Sequence, residues 1–373
     1  MRTDLLAVLA AVAAALFVGY FSTGVSVVRG RAGAPAASTT LAGLAPAPLP
    51  SLDLPGLASS TERAGAATSA PAEAAPALPP PAAGAPRPTV AAPEPALPAG
   101  DLSAASDILR PALVNILCIS PAGSGLESIS GSGVLITNSG IILTNAHIGQ
   151  YFLLADKGVS CAIRTGSPAT TRYRAAPIFV SPAWLSANPN VLVESAPVGT
   201  GEHDFALLAI DATVDGSPLP GVFPFVPLAQ DPPVLGEPVV IGSYAAQFLK
   251  ASEVENALSA TLVYGSVANV YTFSASSVDV VSLGGSAAAQ EGSSGGGAVD
   301  ASGELAATIT TSTTEGNTAS RELNAITASY IRRDYSAQVG APLGALLAAP
   351  VESDIESFAA QIPALEAKLT LPR

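Results

Sequence analysis

The sequence predicts a mostly-β protein in which an apolar helix and an Ala/Pro-rich spacer precede a domain of short strands. Three observations support this fold class. Residues 5–28 are nearly uncharged, and residues 31–100 contain no aromatic side chain. From residue 101 onward, short runs of β-branched and aliphatic residues alternate with Gly, Pro, Ser and Asn. Many short strands at such spacing are typical of β-barrels.

The N-terminal apolar segment is long enough to cross a bilayer. As a helix, residues 5–28 would extend about 36 Å at about 1.5 Å per residue. The apolar core of a cleaved signal peptide is shorter, about 7–15 residues. We therefore expect residues 1–30 to form an uncleaved signal anchor, a single transmembrane helix, rather than a cleaved signal. Arginines flank the segment on both sides, so charge alone leaves its orientation open.

The spacer, residues 31–100, is dominated by Ala and Pro, with the runs PPP and APEPALPAG. Without aromatic side chains it cannot bury a core, so we expect a disordered linker of polyproline II character. Fully extended at about 3.1 Å per residue, it would reach on the order of 200 Å.

The charge and the Cys and His content exclude several kinds of partner. The formal net charge is −13, and Lys and Arg form no basic stripe, which argues against nucleic acid. The sequence contains neither a Cys/His cluster with zinc-site spacing nor an acidic loop of the EF-hand type. We therefore predict no metal ion and no cofactor.

Residues 101–335 form the predicted folded domain. A short helix over residues 102–109 would be capped by Asp101 and ended by Pro111. Strands are predicted at residues 134–137, 141–144, 205–210, 238–242, 261–267 and 278–281, and a hairpin at residues 297–307 with its turn at 300–303. A helical stripe of apolar residues predicts a closing helix over 322–335. In the remaining tail, residues 336–373, a short helix is predicted over 352–362, broken by Pro363.

Three motifs carry the chemistry of a nucleophilic hydrolase. His147 ends LTNAH after an apolar strand, Asp204 begins an apolar run in HDFALL, and Ser294 lies in GSSGG. A serine hydroxyl is a weak nucleophile that needs an adjacent base, and imidazole has a pKa suited to that task. A carboxylate on the second ring nitrogen orients the imidazole and stabilises its charged form. A Gly/Ser cluster alone is usually a flexible loop, but the ordered set of three is specific.

These motifs, in the order His, Asp, Ser, resemble those of the chymotrypsin-fold serine proteases, most closely the Deg/HtrA branch, over residues 101–335. The resemblance implies two six-stranded antiparallel β-barrels with the catalytic groups at their interface. It implies that Ser294 is the nucleophile, His147 the base and Asp204 its orienting carboxylate, and that the N–H groups of Gly292 and Ser294 form the oxyanion hole. The tail is too short for the PDZ domain that most of these proteases carry.

The resemblance also implies a substrate pocket with Ala288 at its base and a wall strand near Ile309, Thr310 and Thr311. None of these residues carries a charge, so we expect a small or aliphatic P1 side chain in the substrate. His203, beside Asp204, is interpreted as a solvated loop residue.

The function predicted from the motifs is a membrane-anchored serine endopeptidase that cleaves envelope polypeptides through an acyl-enzyme, with its protease domain on the extracytoplasmic side. Two departures from the family pattern keep an alternative open. Ser293 stands where relatives carry Asp or Asn, and Gly297 where they often carry Pro. The alternative is a protease-fold binding or scaffold protein without turnover. A third interpretation, a purely structural tethered protein, would leave the three motifs unexplained.

Two cysteines, Cys118 and Cys161, lie on either side of His147 in the sequence. Two cysteines in an exported domain predict a disulfide. The alternative is a pair of buried thiols, which behave as small apolar residues.

Overall fold

The computed structural model describes residues 102–372 apart from 195–198, 274–275 and 313–316. The predicted signal anchor and spacer, residues 1–100, lie outside the described residues. Within the described ranges, no helix combines the length and the apolar character needed to cross a bilayer.

The N-terminal half folds into a closed antiparallel barrel, as predicted. Its strands are β1 (Leu113–Ile119), β2 (Ile129–Leu135), β3 (Ile141–Thr144), β4 (Ser160–Thr165), β5 (Thr170–Val180) and β6 (Ala206–Thr213). They close in the order β1-β2-β3-β6-β5-β4. The side chains of β2 and β3 are buried along their whole length, so the hydrophobic core runs through the barrel.

The C-terminal half differs from the prediction of a second six-stranded barrel. It is one sheet of seven strands: β7 (Pro238–Ser243), β8 (Thr261–Ser266), β9 (Asn269–Tyr271), β10 (Val280–Ser282), β11 (Gly297–Val299), β12 (Leu305–Ser312) and β13 (Leu323–Thr327). The order is β8-β7-β11-β12-β13-β10-β9. The two edge strands, β8 and β9, are not neighbours in this order. The N–H groups of Val267 and Ala268, which connect them, donate to the carbonyls of Glu237 and Ser282. The predicted hairpin is present as β11 and β12.

Within the described part of the chain, the helices are α1 (Ser103–Ala112), α2 (Ala146–Gly149), α3 (Pro182–Ala187), α4 (Ala251–Asn256), α5 (Ala328–Val339), α6 (Leu343–Leu347), α7 (Val351–Ala359) and α8 (Ile362–Glu366), and 3₁₀ helices cover Gln150–Lys157 and Thr318–Ser320. Helix α1 continues past the predicted stop at Pro111. The next bond, from the N–H of Leu113 to the carbonyl of Leu109, does not need the proline nitrogen.

The prediction of one helix over 322–335 is wrong for its first part. Residues 323–327 are β13, which pairs with β12 and with β10. Helix α5 begins only at Ala328, where the Thr327 hydroxyl accepts a hydrogen bond from the N–H of Tyr330 and caps the helix. The apolar residues Leu323 and Ile326 satisfy both a helical period and a short buried strand, so the pattern alone could not separate the two.

The C-terminal tail is helical and packs against the first barrel. The helix predicted over 352–362 is found as α7, and Pro363 lies in the first turn of α8, a position that proline tolerates well. Phe358 and Leu365 are buried in the core. Glu366 pairs with Lys157 at 2.8 Å.

The predicted disulfide between Cys118 and Cys161 is confirmed. The two residues are directly paired on β1 and β4, and their Cα atoms are 4.0 Å apart. The bond therefore joins two neighbouring strands of the first barrel across a sequence separation of 43 residues.

We predict that replacing both residues, Cys118→Ala with Cys161→Ala, lowers the free energy of unfolding by about 4 kcal/mol, because the unfolded chain regains the entropy of the opened loop. Urea denaturation of the oxidised and reduced wild-type protein and of the double variant measures this. Reduction should leave the midpoint of the variant unchanged. Equal midpoints for oxidised and reduced wild-type protein would contradict the prediction.

Candidate active site

The first barrel brings His147 and Asp204 together. Strand β3 pairs with β6, so the residues that follow β3 lie beside those that precede β6. His147 stands in the short helix α2, and its Nδ1 lies 2.8 Å from Oδ2 of Asp204. Its backbone N–H donates to the other carboxylate oxygen of Asp204 at 3.0 Å. The carboxylate thus holds both the ring and the backbone of the histidine.

The Asp204 carboxylate is almost completely buried. The Thr310 hydroxyl on β12 donates to its Oδ2 at 2.7 Å, and the Asn145 side chain donates to its backbone carbonyl at 3.0 Å. Burial raises the pKa of Asp204, but the charge of His147 and the hydrogen bonds from His147 and Thr310 outweigh it, so the pKa lies below its usual value. Asp204 is therefore ionised and can stabilise an imidazolium.

Ser294 lies in the loop before β11, which we call the nucleophile loop (residues 288–296). Its carbonyl accepts a hydrogen bond of 2.8 Å from the N–H of Ser132 on β2, and the Ser132 hydroxyl donates to the carbonyl of Gly292 at 2.7 Å. A Cβ added at Gly131 would lie 2.4 Å from Ile148 and 3.6 Å from the Ser294 carbonyl. Strand β2 therefore places Ser294 next to the segment that carries His147.

Among the described residues, no hydrogen bond joins the Ser294 hydroxyl to the His147 imidazole. In free enzymes such a bond is often long and tightens only when substrate binds. The Ser294 side chain is half-buried and so remains partly open to solvent.

Glycine is required at two positions of the nucleophile loop. Gly295 has φ +83°, and an added Cβ would lie 2.0 Å from the Ser132 carbonyl oxygen. Gly292 has φ +88°, and an added Cβ would lie 2.7 Å from the Tyr244 carbonyl oxygen. Both the left-handed backbone and the close approach exclude a side chain, so these glycines set the turn that presents Ser294.

The two N–H groups predicted for an oxyanion hole have no acceptor among the described residues. The carbonyl of Glu291 is turned toward Ala246, whose N–H donates to it at 2.8 Å. In a trans peptide the N–H points opposite to the carbonyl, so the N–H of Gly292 is directed away from Ala246. Gly292 and Ser294 can therefore both donate to an oxygen that develops negative charge beside Ser294.

The four residues predicted for the substrate pocket have the following environments. Ala288 and Ile309 are buried in the apolar core of the second sheet. Thr310 is directed at Asp204 and supports the carboxylate, a role that the sequence did not indicate. Thr311 pairs with Asn324 between β12 and β13. These contacts do not test the pocket, so both the pocket and the P1 preference stay predictions.

The interpretation of His203 as a solvated loop residue is wrong. Its Nδ1 lies 2.9 Å from both carboxylate oxygens of Asp334 on α5, and its backbone N–H donates to the Tyr330 hydroxyl at 2.9 Å. Its φ of 60° places it in the left-handed region, at the turn that leads into Asp204. Helix α5 therefore anchors this turn. Asp334 is 131 positions from His203, so no local sequence signal could reveal the contact.

The comparison with protein families fits this geometry. Residues 131–307 match the family model of the trypsin-like peptidase domain, a span that contains His147, Asp204 and Ser294. A comparison with curated proteins finds no match. Among solved structures, the chain is similar to the serine endoprotease from Yersinia pestis at 19% identity and a TM-score of 0.41. The similarity covers 63% of this chain and 65% of that one, which is less than two thirds of its length.

The barrel, the second sheet and the matched domain define a protease domain of the chymotrypsin fold. The chain contains a trypsin-like peptidase domain.

We predict that Thr310→Val lowers kcat/KM by roughly 10- to 100-fold, since a hydrogen bond to a charged group contributes about 1.5–3 kcal/mol. Steady-state kinetics on a peptide that the wild-type protein cleaves measures the effect, and Thr310→Ser should retain the rate. Thr308→Val is the matched control, because this buried hydroxyl on the same strand finds no hydrogen-bond partner within the described part of the chain. Equal losses in both valine variants would contradict the role of Thr310.

We also predict that the His203–Asp334 pair stabilises the fold most at low pH. The hydrogen bond with Asp334 and the negative charges of Asp334 and Glu202 raise the pKa of His203 despite its partial burial. A raised pKa means that the stabilisation is complete below the ordinary pKa of about 6.5 and is lost as the pH rises through the folded-state value. The difference in unfolding free energy between wild type and His203→Gln should therefore shrink from pH 6 to pH 9. A difference that is independent of pH would contradict this.

Proposed function

We propose that the protein is a serine endopeptidase that hydrolyses polypeptides through an acyl-enzyme on Ser294. The observation that carries the proposal is the 2.8 Å contact between His147 Nδ1 and the buried Asp204 carboxylate, with Ser294 held beside them by Ser132. Asp204 fixes the imidazole with Nδ1 protonated, which leaves Nε2 to accept a proton.

The reaction proceeds in two stages. The Ser294 oxygen attacks the peptide carbonyl carbon while its proton passes to Nε2 of His147, and the carbonyl oxygen becomes an oxyanion. The N–H groups of Gly292 and Ser294 donate to this oxygen. When the C–N bond breaks, His147 gives the proton to the leaving amine and an ester on Ser294 remains. Water, deprotonated by His147, then hydrolyses the ester and releases the new carboxyl terminus.

Features outside the site support a location at the cell envelope. Residues 5–28 are apolar over a length sufficient for a bilayer, and the Ala/Pro-rich residues 31–100 follow as a tether. The Cys118–Cys161 disulfide fits an oxidising, extracytoplasmic compartment. We therefore propose a single-pass membrane anchor, a protease domain outside the cytoplasm, and envelope polypeptides, misfolded ones among them, as substrates.

The alternative is a protease-fold scaffold protein without turnover. It is favoured only by the departures at Ser293 and Gly297 from the family pattern. In the structure Ser293 is buried and its hydroxyl accepts a hydrogen bond from Ser243 at 3.0 Å, while Gly297 pairs in β11. Neither arrangement displaces a catalytic group. A scaffold would also have no need for two oxyanion donors without acceptors.

We predict that a fluorophosphonate probe labels the wild-type protein and that Ser294→Ala and His147→Ala each abolish labelling, because only an activated serine reacts. Asp204→Asn should lower the rate on the order of 10⁴-fold. Ser293→Ala is the matched control, since it removes a neighbouring hydroxyl and leaves Ser294 intact. Labelling and peptide cleavage that persist in Ser294→Ala would refute the mechanism. A folded wild-type protein that is never labelled would support the scaffold alternative.

A further inference from the structure

Arg321 joins three loop segments of the C-terminal half: its own segment before β13, the segment after β7 and the nucleophile loop before β11. It follows the 3₁₀ helix Thr318–Ser320 and is only 5% exposed. Its Nη1 donates to the carbonyl of Ala289 at 2.8 Å and to Oε1 of Gln247 at 2.5 Å. The guanidinium carbon also lies 5.8 Å from the centre of the Phe248 ring, within the range of a cation–π contact.

We define residues 289–292 as the oxyanion turn. One residue that accepts a hydrogen bond from Arg321 belongs to this turn, and the other is next to a residue that supports it. Ala289 begins this turn. Gln247 follows Ala246, whose N–H holds the Glu291 carbonyl at 2.8 Å and so directs the N–H of Gly292. Arg321 therefore contacts the turn directly at Ala289, and it contacts Gln247, the neighbour of Ala246, which supports the turn from the other side.

The backbone next to Arg321 also contacts the chain just before the nucleophile loop. A Cβ added at Gly285 would lie 2.2 Å from the carbonyl oxygen of Ala319, so the two backbones are in direct contact. The segment from the 3₁₀ helix to Arg321 thus contacts the chain at two places, at Gly285 before the oxyanion turn and at Ala289 where the turn begins. This contact is independent of the side-chain hydrogen bonds.

We propose that Arg321 is a positioning residue for catalysis, which holds the oxyanion turn so that the N–H of Gly292 faces the developing oxyanion. The proposal rests on the proposed function of Ser294. Hydrogen bonds from a charged donor are roughly twice as strong as neutral ones, and a guanidinium presents its donors in a rigid plane. The side chain of Ser293, next to the nucleophile, forms a neutral hydrogen bond with the Ser243 hydroxyl. Arg321 gives the turn a charge-assisted hydrogen bond at Ala289.

A positioning role has a kinetic signature that general stabilisation lacks. Oxyanion donors act on charge that develops in the transition state, so their displacement lowers kcat and leaves KM unchanged. A displacement of about 1 Å can cost on the order of 10²-fold in rate. We expect Arg321→Ala to show such a loss, and Arg321→Lys, which keeps the charge and can donate to at least one of the two oxygens, to retain most of kcat.

The test uses the full chain, the fluorophosphonate labelling rate and steady-state cleavage of a peptide that the wild-type protein hydrolyses. Gln247→Ala should lower kcat by no more than Arg321→Ala does. The double variant should lose no more than Arg321→Ala alone, because Arg321→Ala already removes the contact with Gln247. Arg332→Ala is the matched control. Arg332 is a half-buried arginine that donates to two backbone carbonyls, of Leu228 and Ala229, away from the oxyanion turn, so its removal should spare kcat.

The outcomes separate the two proposals. A labelled wild-type protein whose Arg321→Ala and Gln247→Ala variants keep kcat would overturn the role of Arg321 alone. Additive losses in the double variant, or an equal loss in Arg332→Ala, would overturn it as well. If Arg321→Ala does not fold, Gln247→Ala and Arg321→Lys still decide the matter. A wild-type protein that is neither labelled nor active would overturn both proposals.

Discussion

The active site depends on the contact between Ser132 and the nucleophile loop. His147 and Asp204 belong to the first barrel, whereas Ser294 belongs to the second sheet, so neither half can form the site alone. Ser132 holds the carbonyls of Ser294 and Gly292 with its N–H and its hydroxyl, and the N–H of Tyr244 donates to that hydroxyl at 2.8 Å. One strand residue thus sets the position of the nucleophile and of an oxyanion donor relative to the histidine.

The buried carboxylate of Asp204 also needs a contact from the second sheet. An ionised carboxylate without water is strongly unfavourable unless charge and hydrogen bonds compensate it. Two of these bonds come from His147 in the first barrel, but the third comes from Thr310 on β12. The ionised state of Asp204 therefore requires both sheets to be docked. Correct assembly of the halves and correct electrostatics at the histidine are consequently one condition rather than two.

Local patterns in the sequence predicted β3, β6, β7, β8 and β10, the hairpin and the disulfide, because each depends on residues that are close in sequence or on compartment chemistry. They predicted no strand at β4, β5 or β9. Strand β3 has the predicted bounds. Features that depend on distant residues could not be predicted. The apolar residues of 323–327 fit a helical period, and the pairing with β10 and β12 that makes this segment a strand is not visible in the local sequence. The contacts of His203 with Asp334, Thr310 with Asp204, and Arg321 with Gln247 join residues 74 to 131 positions apart.

The buried charges show where this fold fixes geometry rather than only filling space. Among the described residues, the charged side chains in the buried class are Arg164, Asp204, Asp279, Arg321 and Asp334. Arg164 and Asp279 fasten helices to the sheets, through the carbonyls of α4 and through Arg333 of α5. The other three act at or next to the catalytic groups: on His147, on the oxyanion turn and on the turn into Asp204. Since an uncompensated buried charge destabilises the fold, each enforces its partners' positions, and three of the five do so around the site.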